Sequence, residues 1–158
     1  MSPTGRVDYD IPAHLDYSLD IVRSGTWGHD VTREVGDATA DTTGLEHSAP
    51  GTFWYVPTER LRPDRLHDGD LLFFVLNEKT EHGRKMRDLG IKIGHQGIVH
   101  VEGGTAYTIH AAAKPLTGVY EGNRVVEVPL LTYLRRVDNF KGVIVTRLDE
   151  DEIRPTPQ

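Results

Sequence analysis

The chain has no cysteine among its 158 residues. That absence excludes a disulfide framework, a thiolate zinc site, an iron–sulfur cluster and a thiol nucleophile supplied by this chain. Serine is scarce: Ser2, Ser18, Ser24 and Ser48 are all there is, and none sits in a Gly-x-Ser-x-Gly elbow. Long apolar runs are missing too. The longest, Leu71 to Leu76, has six residues, against roughly 20 needed to span a bilayer. The segment Met1 to Arg6 lacks the apolar h-region of a signal peptide, so the expectation is a cytoplasmic protein with no membrane partner. Basic residues are outnumbered, 18 against 24, for a net charge of −6. A nucleic-acid partner needs a concentrated basic surface, so none is expected. The one basic cluster, Lys79 to Lys92, is bordered and interrupted by Glu78, Glu81 and Asp88 and reads as a solvated face. There is no GxGxxG on a strand–helix turn, no P-loop and no HExxH. No cofactor and no metal are therefore expected.

What is present fits one domain. Residues 1–11 are polar and read as a loose N-terminal segment, residues 12–148 as a single domain, and residues 149–158 as a flexible acidic and proline-bearing tail. Leu15, Leu19 and Val22 recur at helical spacing between Pro12 and Ser24, with Gly25 just beyond, which predicts a short amphipathic helix. Residues 36–52 are rich in Gly, Asp, Ala, Thr and Ser and read as a loop or linker. The second half carries the core. Asp70 to Leu76 reads as a buried strand launched from the turn His67-Asp68-Gly69, and Glu78 to Leu89 as a polar helix or excursion ending at Gly90. His95–Val101 and Thr105–Ala111 read as a hairpin closed at Gly103-Gly104. Arg124–Val128 and Val143–Arg147 supply two more strands, and Pro129–Arg136 a short helix with Leu130, Leu131 and Leu134 as its apolar stripe. Helical segments followed by about five strands with short connections predict an α+β domain on a curved antiparallel sheet.

Eight histidines invite a search for a site. His14, His29, His47, His67 and His82 stand in polar or turn-like contexts and read as surface residues. His95, His100 and His110 fall on strands. If Gly103-Gly104 is a two-residue hairpin loop, Glu102 faces Thr105, His100 faces Tyr107 and His110 faces Gly97. His95 is then a diagonal neighbour of His110 on the same sheet face, about 7–8 Å away, while His100 points the other way. A three-residue loop would invert that parity. From spacing alone the pair is either a site or two unrelated strand histidines, each satisfied locally. Gln96, Gly97 and Thr108 are the candidate substrate-binding residues beside it.

Three stretches carry more in order than separately: Asp68-Gly69-Asp70-Leu71-Leu72, Gly94-His95-Gln96-Gly97-Ile98-Val99 and Thr108-Ile109-His110-Ala111-Ala112. Together they resemble the C-terminal half of the N-acetylmuramoyl-L-alanine amidase-like family, within the NlpC-type, papain-like cysteine peptidase superfamily. Pro129-Leu130-Leu131-Thr132-Tyr133-Leu134 and Gly142-Val143-Ile144-Val145-Thr146-Arg147 look like that family's closing helix and strand. His29-Asp30-Val31-Thr32-Arg33-Glu34 and Arg6-Val7-Asp8-Tyr9 are similar to segments before its core. The resemblance implies that His95 is the general base and His110 the polar residue that orients it. It departs at two places. Ala112 stands where the family has Ser, and no cysteine opens an upstream helix, although Asp16-Tyr17-Ser18 resembles an Asp-Cys-Ser box with Tyr at the thiol position.

Three readings follow. The chain is an amidase-like domain completed by a missing segment or by a partner chain that carries the nucleophile; or the cleft only binds a cell-wall-type peptide or small molecule; or His95 and His110 perform non-covalent acid–base chemistry, such as isomerisation, cyclisation or hydrolysis, on a small molecule.

Overall fold

The structure, a computed structural model, describes residues 17–42 and 53–149. The expectations for the loose N-terminal segment, for His14 and His47, for most of the linker and for all but the first residue of the tail lie outside those residues. Helix α1 spans Tyr17–Ser24, and buries Leu19, Ile21 and Val22. Gly25, at φ +70°, ends it in the left-handed conformation that a glycine adopts without penalty. Helix α2, Glu81–Asp88, is capped by Thr80, whose hydroxyl accepts from the Gly83 amide. Helix α3, Leu130–Arg136, turns Leu130, Tyr133 and Leu134 inward.

Around these lies one antiparallel sheet of eight strands: β1 His29–Asp30, β2 Thr39–Asp41, β3 Phe53–Pro57, β4 Leu71–Leu76, β5 Ile93–Glu102, β6 Thr105–Ala112, β7 Arg124–Pro129 and β8 Phe140–Arg147. The order is β2-β3-β8-β4-β5-β6-β7, with β1 also paired to β8. The class is α+β, as expected, but the strand count is eight rather than about five. The additional strands are β1, β2 and β3, of two, three and five residues. β1 and β2 are too short for a period-two pattern to emerge, and β2 lies within the stretch read as a linker.

Strand β4 is the spine, and this explains its uninterrupted apolar sequence. It is paired on both edges, to β5 and β8, and covered on both faces. Leu72 and Phe74 join a core with Val99, Val128, Leu130, Tyr133 and Val143. Phe73 and Val75 join a second core with α1, Phe53, Ile93 and Ile144. The two ends of the sequence pattern meet in a buried ion pair: Asp70, 1% exposed, receives Arg147 Nε at 2.7 Å and Nη2 at 2.8 Å. Among the described residues no helix is long and apolar enough to cross a membrane.

Candidate functional site

The β5–β6 hairpin positions the site. Gly103 and Gly104 have φ of +57° and +77°, the double positive φ of a tight two-residue hairpin turn. Its ladder runs Glu102↔Thr105, His100↔Tyr107 and Ile98↔Ile109. His95 and His110 therefore share the face that carries Phe74 and Tyr133. His95 Nε2 lies 2.8 Å from His110 Nδ1, with the rings nearly perpendicular at 89°. The glycine at position 97 makes that packing possible. A Cβ there would collide with Thr108 Oγ1 and crowd the Phe74 ring.

An aromatic cage surrounds the two imidazoles. Tyr133 lies 4.5 Å and Tyr120 5.6 Å from His110, centroid to centroid. Phe74 lies 5.8 Å from His95, and Phe140 stacks on it at 6.3 Å. Such surroundings disfavour charge. Burial holds His95 below its ordinary pKa. It pushes His110 down to about 4, with repulsion from His95 adding to the effect. The same burial raises the Tyr133 phenol, so it stays a neutral hydroxyl.

The 2.8 Å contact is compatible with either of two tautomeric arrangements. A neutral imidazole donates from one nitrogen and accepts at the other. If His95 donates from Nε2 to His110 Nδ1, its own Nδ1 is bare and can take a proton without disturbing the pair. In the reverse arrangement Nδ1 of His95 already carries its proton. Only the first makes His95 a base, with His110 as its fixed acceptor. His95 Nδ1 has no hydrogen bond among the described residues. Among the described residues His110 Nε2 is buried and lacks a partner.

The other candidates are distributed differently. Gly97 and Thr108 lie beside the pair. Thr108 is fully buried, and its hydroxyl beneath the site has no partner among the described residues. Gln96 lies on the opposite face, where its Nε2 donates to Ser18 Oγ at 2.9 Å. His100 also lies on that face, bonded to Asp68 at 3.0 Å. His29, His67 and His82 are exposed. Among the described residues no group of three or more His, Asp or Glu is arranged to hold a metal. Sequence reasoning missed the cage. Phe74, Tyr120, Tyr133 and Phe140 come from four elements, and only Tyr133, inside the Pro-Leu-x-x-Tyr-Leu helix pattern, stood in a motif.

The α+β sheet, its hairpin and its closing helix are shared with proteins of known structure. Two crystal structures of an N-acetylmuramoyl-L-alanine amidase from Bacteroides uniformis ATCC 8492 are similar to this chain. One has a TM-score of 0.61 and 20% identity, covering 92% of this chain and 69% of that one. The other has a TM-score of 0.60 and 21% identity, covering 90% and 67%. At that identity the likeness establishes the fold. No family model matches the chain, and no curated protein matches it in sequence.

Proposed function

We propose that this chain is the acid–base portion of an amidase-like hydrolase of the NlpC-type, papain-like kind, acting on a cell-wall-type peptide amide. His95 is the general base, His110 orients it, and a nucleophile comes from a partner chain or from a missing segment. The observation that carries the reading is the 2.8 Å contact from His95 Nε2 to His110 Nδ1, which leaves Nδ1 of His95 open. In the reaction, His95 Nδ1 removes the proton of the attacking nucleophile as its bond to the acyl carbon forms. It returns that proton to the amine nitrogen as the carbon–nitrogen bond breaks. The imidazolium formed between these events keeps its Nε2–H bond to His110.

The cysteine-free sequence supports a split of roles. Ser18 accepts from Gln96 on the other face, and Ser24 donates to the Ile21 carbonyl, so neither serves His95. The test is release of the free amine of L-alanine from N-acetylmuramoyl-L-alanine, with and without an added small thiol. Alone, the wild type should not hydrolyse that amide at a useful rate, because a positioned imidazole contributes only about 10²–10⁴-fold. With thiol, it should exceed His95→Ala by about tenfold or more. Equal rates in both proteins would remove His95 from the mechanism. Thiol-independent turnover would replace the external nucleophile with serine, threonine or water.

A second reading rests on the same open nitrogen. An intact acid–base pair needs no nucleophile to move a proton within a tautomerisable small molecule. His95-dependent solvent exchange of a candidate metabolite's acidic C–H, without amide turnover, would favour it.

A further inference from the structure

On the sheet face opposite the His95 side chain, one half of the sheet is left uncovered by the described residues. On β5, β6 and β7 the side chains pointing away from His95 form apolar rows. Leu71 pairs with Ile98, and Ile98 with Ile109; Ala111 pairs with Val125 in the next row. Helix α1 covers the other half of this face through Phe53, Phe73, Val75 and Ile144. Trp27 then stacks on Phe73 at 6.3 Å and forms a wall. The result is a groove of about 340 Å³, in which Val125 is 70%, Ile98 46% and Trp27 39% exposed. Its apolar row ends in acid, because Ile109 pairs with Glu127. Asp68, Glu102 and Glu127 converge on His100 at 3.0, 4.0 and 3.8 Å. Among the described residues no Lys or Arg pairs with these three carboxylates.

We infer that this groove docks a cationic amphipathic helix from another polypeptide. Apolar side chains at i, i+3, i+4 and i+7 would fill the floor over Ile98, Ile109 and Val125, and Lys or Arg at one end would meet the carboxylates. Charge argues against the other occupants. A second copy carries net charge −6, and its basic helix α2, Glu-His-Gly-Arg-Lys-Met-Arg-Asp, has no apolar stripe. Residues 1–16 hold Arg6 against Asp8, Asp10 and Asp16. An anionic lipid surface would be repelled.

The test uses the full chain carrying Trp54→Phe, which leaves Trp27 as the sole tryptophan reporter in the groove wall. The probe is a 16-residue helical peptide with Leu at i, i+3, i+4 and i+7 and Lys elsewhere. Controls replace every Lys with Glu or scramble the Leu positions. Trp27 emission should shift to the blue with the Lys helix alone. Val125→Asp should weaken binding by about tenfold or more, which is about 1.4 kcal/mol. Glu127→Lys and added salt should each weaken it several-fold. Both substitutions are at exposed positions, and an unchanged urea midpoint verifies the fold. Equal binding of the Glu helix or the scrambled peptide overturns the inference, and so does indifference to Val125→Asp. Nuclear Overhauser contacts from the Val125 methyls to residues 1–16 would make this chain's own segment the occupant and equally overturn it. A concentration-dependent dimer that blocks the probe would do the same for a second copy.

Discussion

Two kinds of buried polar cluster lie within one sheet, and they are built on opposite terms. The charged one is closed. Asp70 takes two bonds from Arg147 and one from the His67 amide. Asp41, in the short strand β2, meets Arg87 at 2.9 Å and Lys141 at 2.9 Å, and Lys141 meets Glu78 at 2.8 Å. The histidine cluster is open. Among the described residues His110 Nε2 and Thr108 Oγ1 are buried without a partner, and His95 Nδ1 makes no hydrogen bond. A buried polar atom without a partner costs about 1–3 kcal/mol. The closed clusters fasten β2, β4, β8 and α2, whereas the open one leaves hydrogen-bonding capacity unused among the described residues.

The comparison predicts a large loss where a closed pair is broken. Arg147→Met strands a carboxylate that is 1% exposed, and should cost about 3–5 kcal/mol in urea unfolding. A loss below about 1 kcal/mol would mean that Asp70 finds another partner. Next comes the steric limit of the open cluster. Gly97→Ala should cost about 1–3 kcal/mol through collision with Thr108, and Gly97→Ala/Thr108→Ala should recover much of it. Thr108→Val alone should stabilise the fold by about 1–3 kcal/mol, since it removes a buried hydroxyl that has no partner among the described residues.

The pH response should come from the histidines. His110 stays neutral in the fold down to about pH 4, whereas an unfolded histidine protonates near 6.5. Between those values the unfolded chain binds more protons, so stability is full above about pH 6.5 and declines as pH falls toward 4. At pH 5 the wild type should have lost about 1–2 kcal/mol relative to pH 7, and His110→Gln should show a flatter decline. Identical profiles would remove the buried-neutral description. The smallest effect belongs to the exposed Glu81–Lys85 pair on α2: Glu81→Gln should change stability by no more than about 0.5 kcal/mol.

The parts of the fold legible in sequence were those with strong local rules. Gly103-Gly104 set the hairpin register, and that register brought His95 and His110 to one face and sent His100 to the other. Leu71 to Leu76 announced a strand buried on both sides. Short strands held by distant charges were not legible. Asp41 in a Thr- and Ala-rich stretch looks like a loop residue until Arg87 and Lys141 arrive from elsewhere in the chain. The aromatic cage was hidden for the same reason. Phe74 and Phe140 look like core residues of their own strands, and only the tertiary fold shows that they enclose an imidazole pair. Gln96 sits next to His95 in sequence, yet strand alternation sends it to Ser18 on the other face.

The central claim is that His95 is a base held ready by a neutral His110. Nitrogen-15 NMR of the histidine rings across pH 4 to 8 tests it most directly. The account predicts that His110 keeps a neutral ring with a bare Nδ1 and a protonated Nε2 down to about pH 4. It also predicts that His95 takes up its proton at Nδ1 below the ordinary histidine range, and that His110→Gln perturbs that titration. An His110 that titrates near pH 6.5, or an His95 whose Nδ1 carries the proton in the neutral ring, would contradict it.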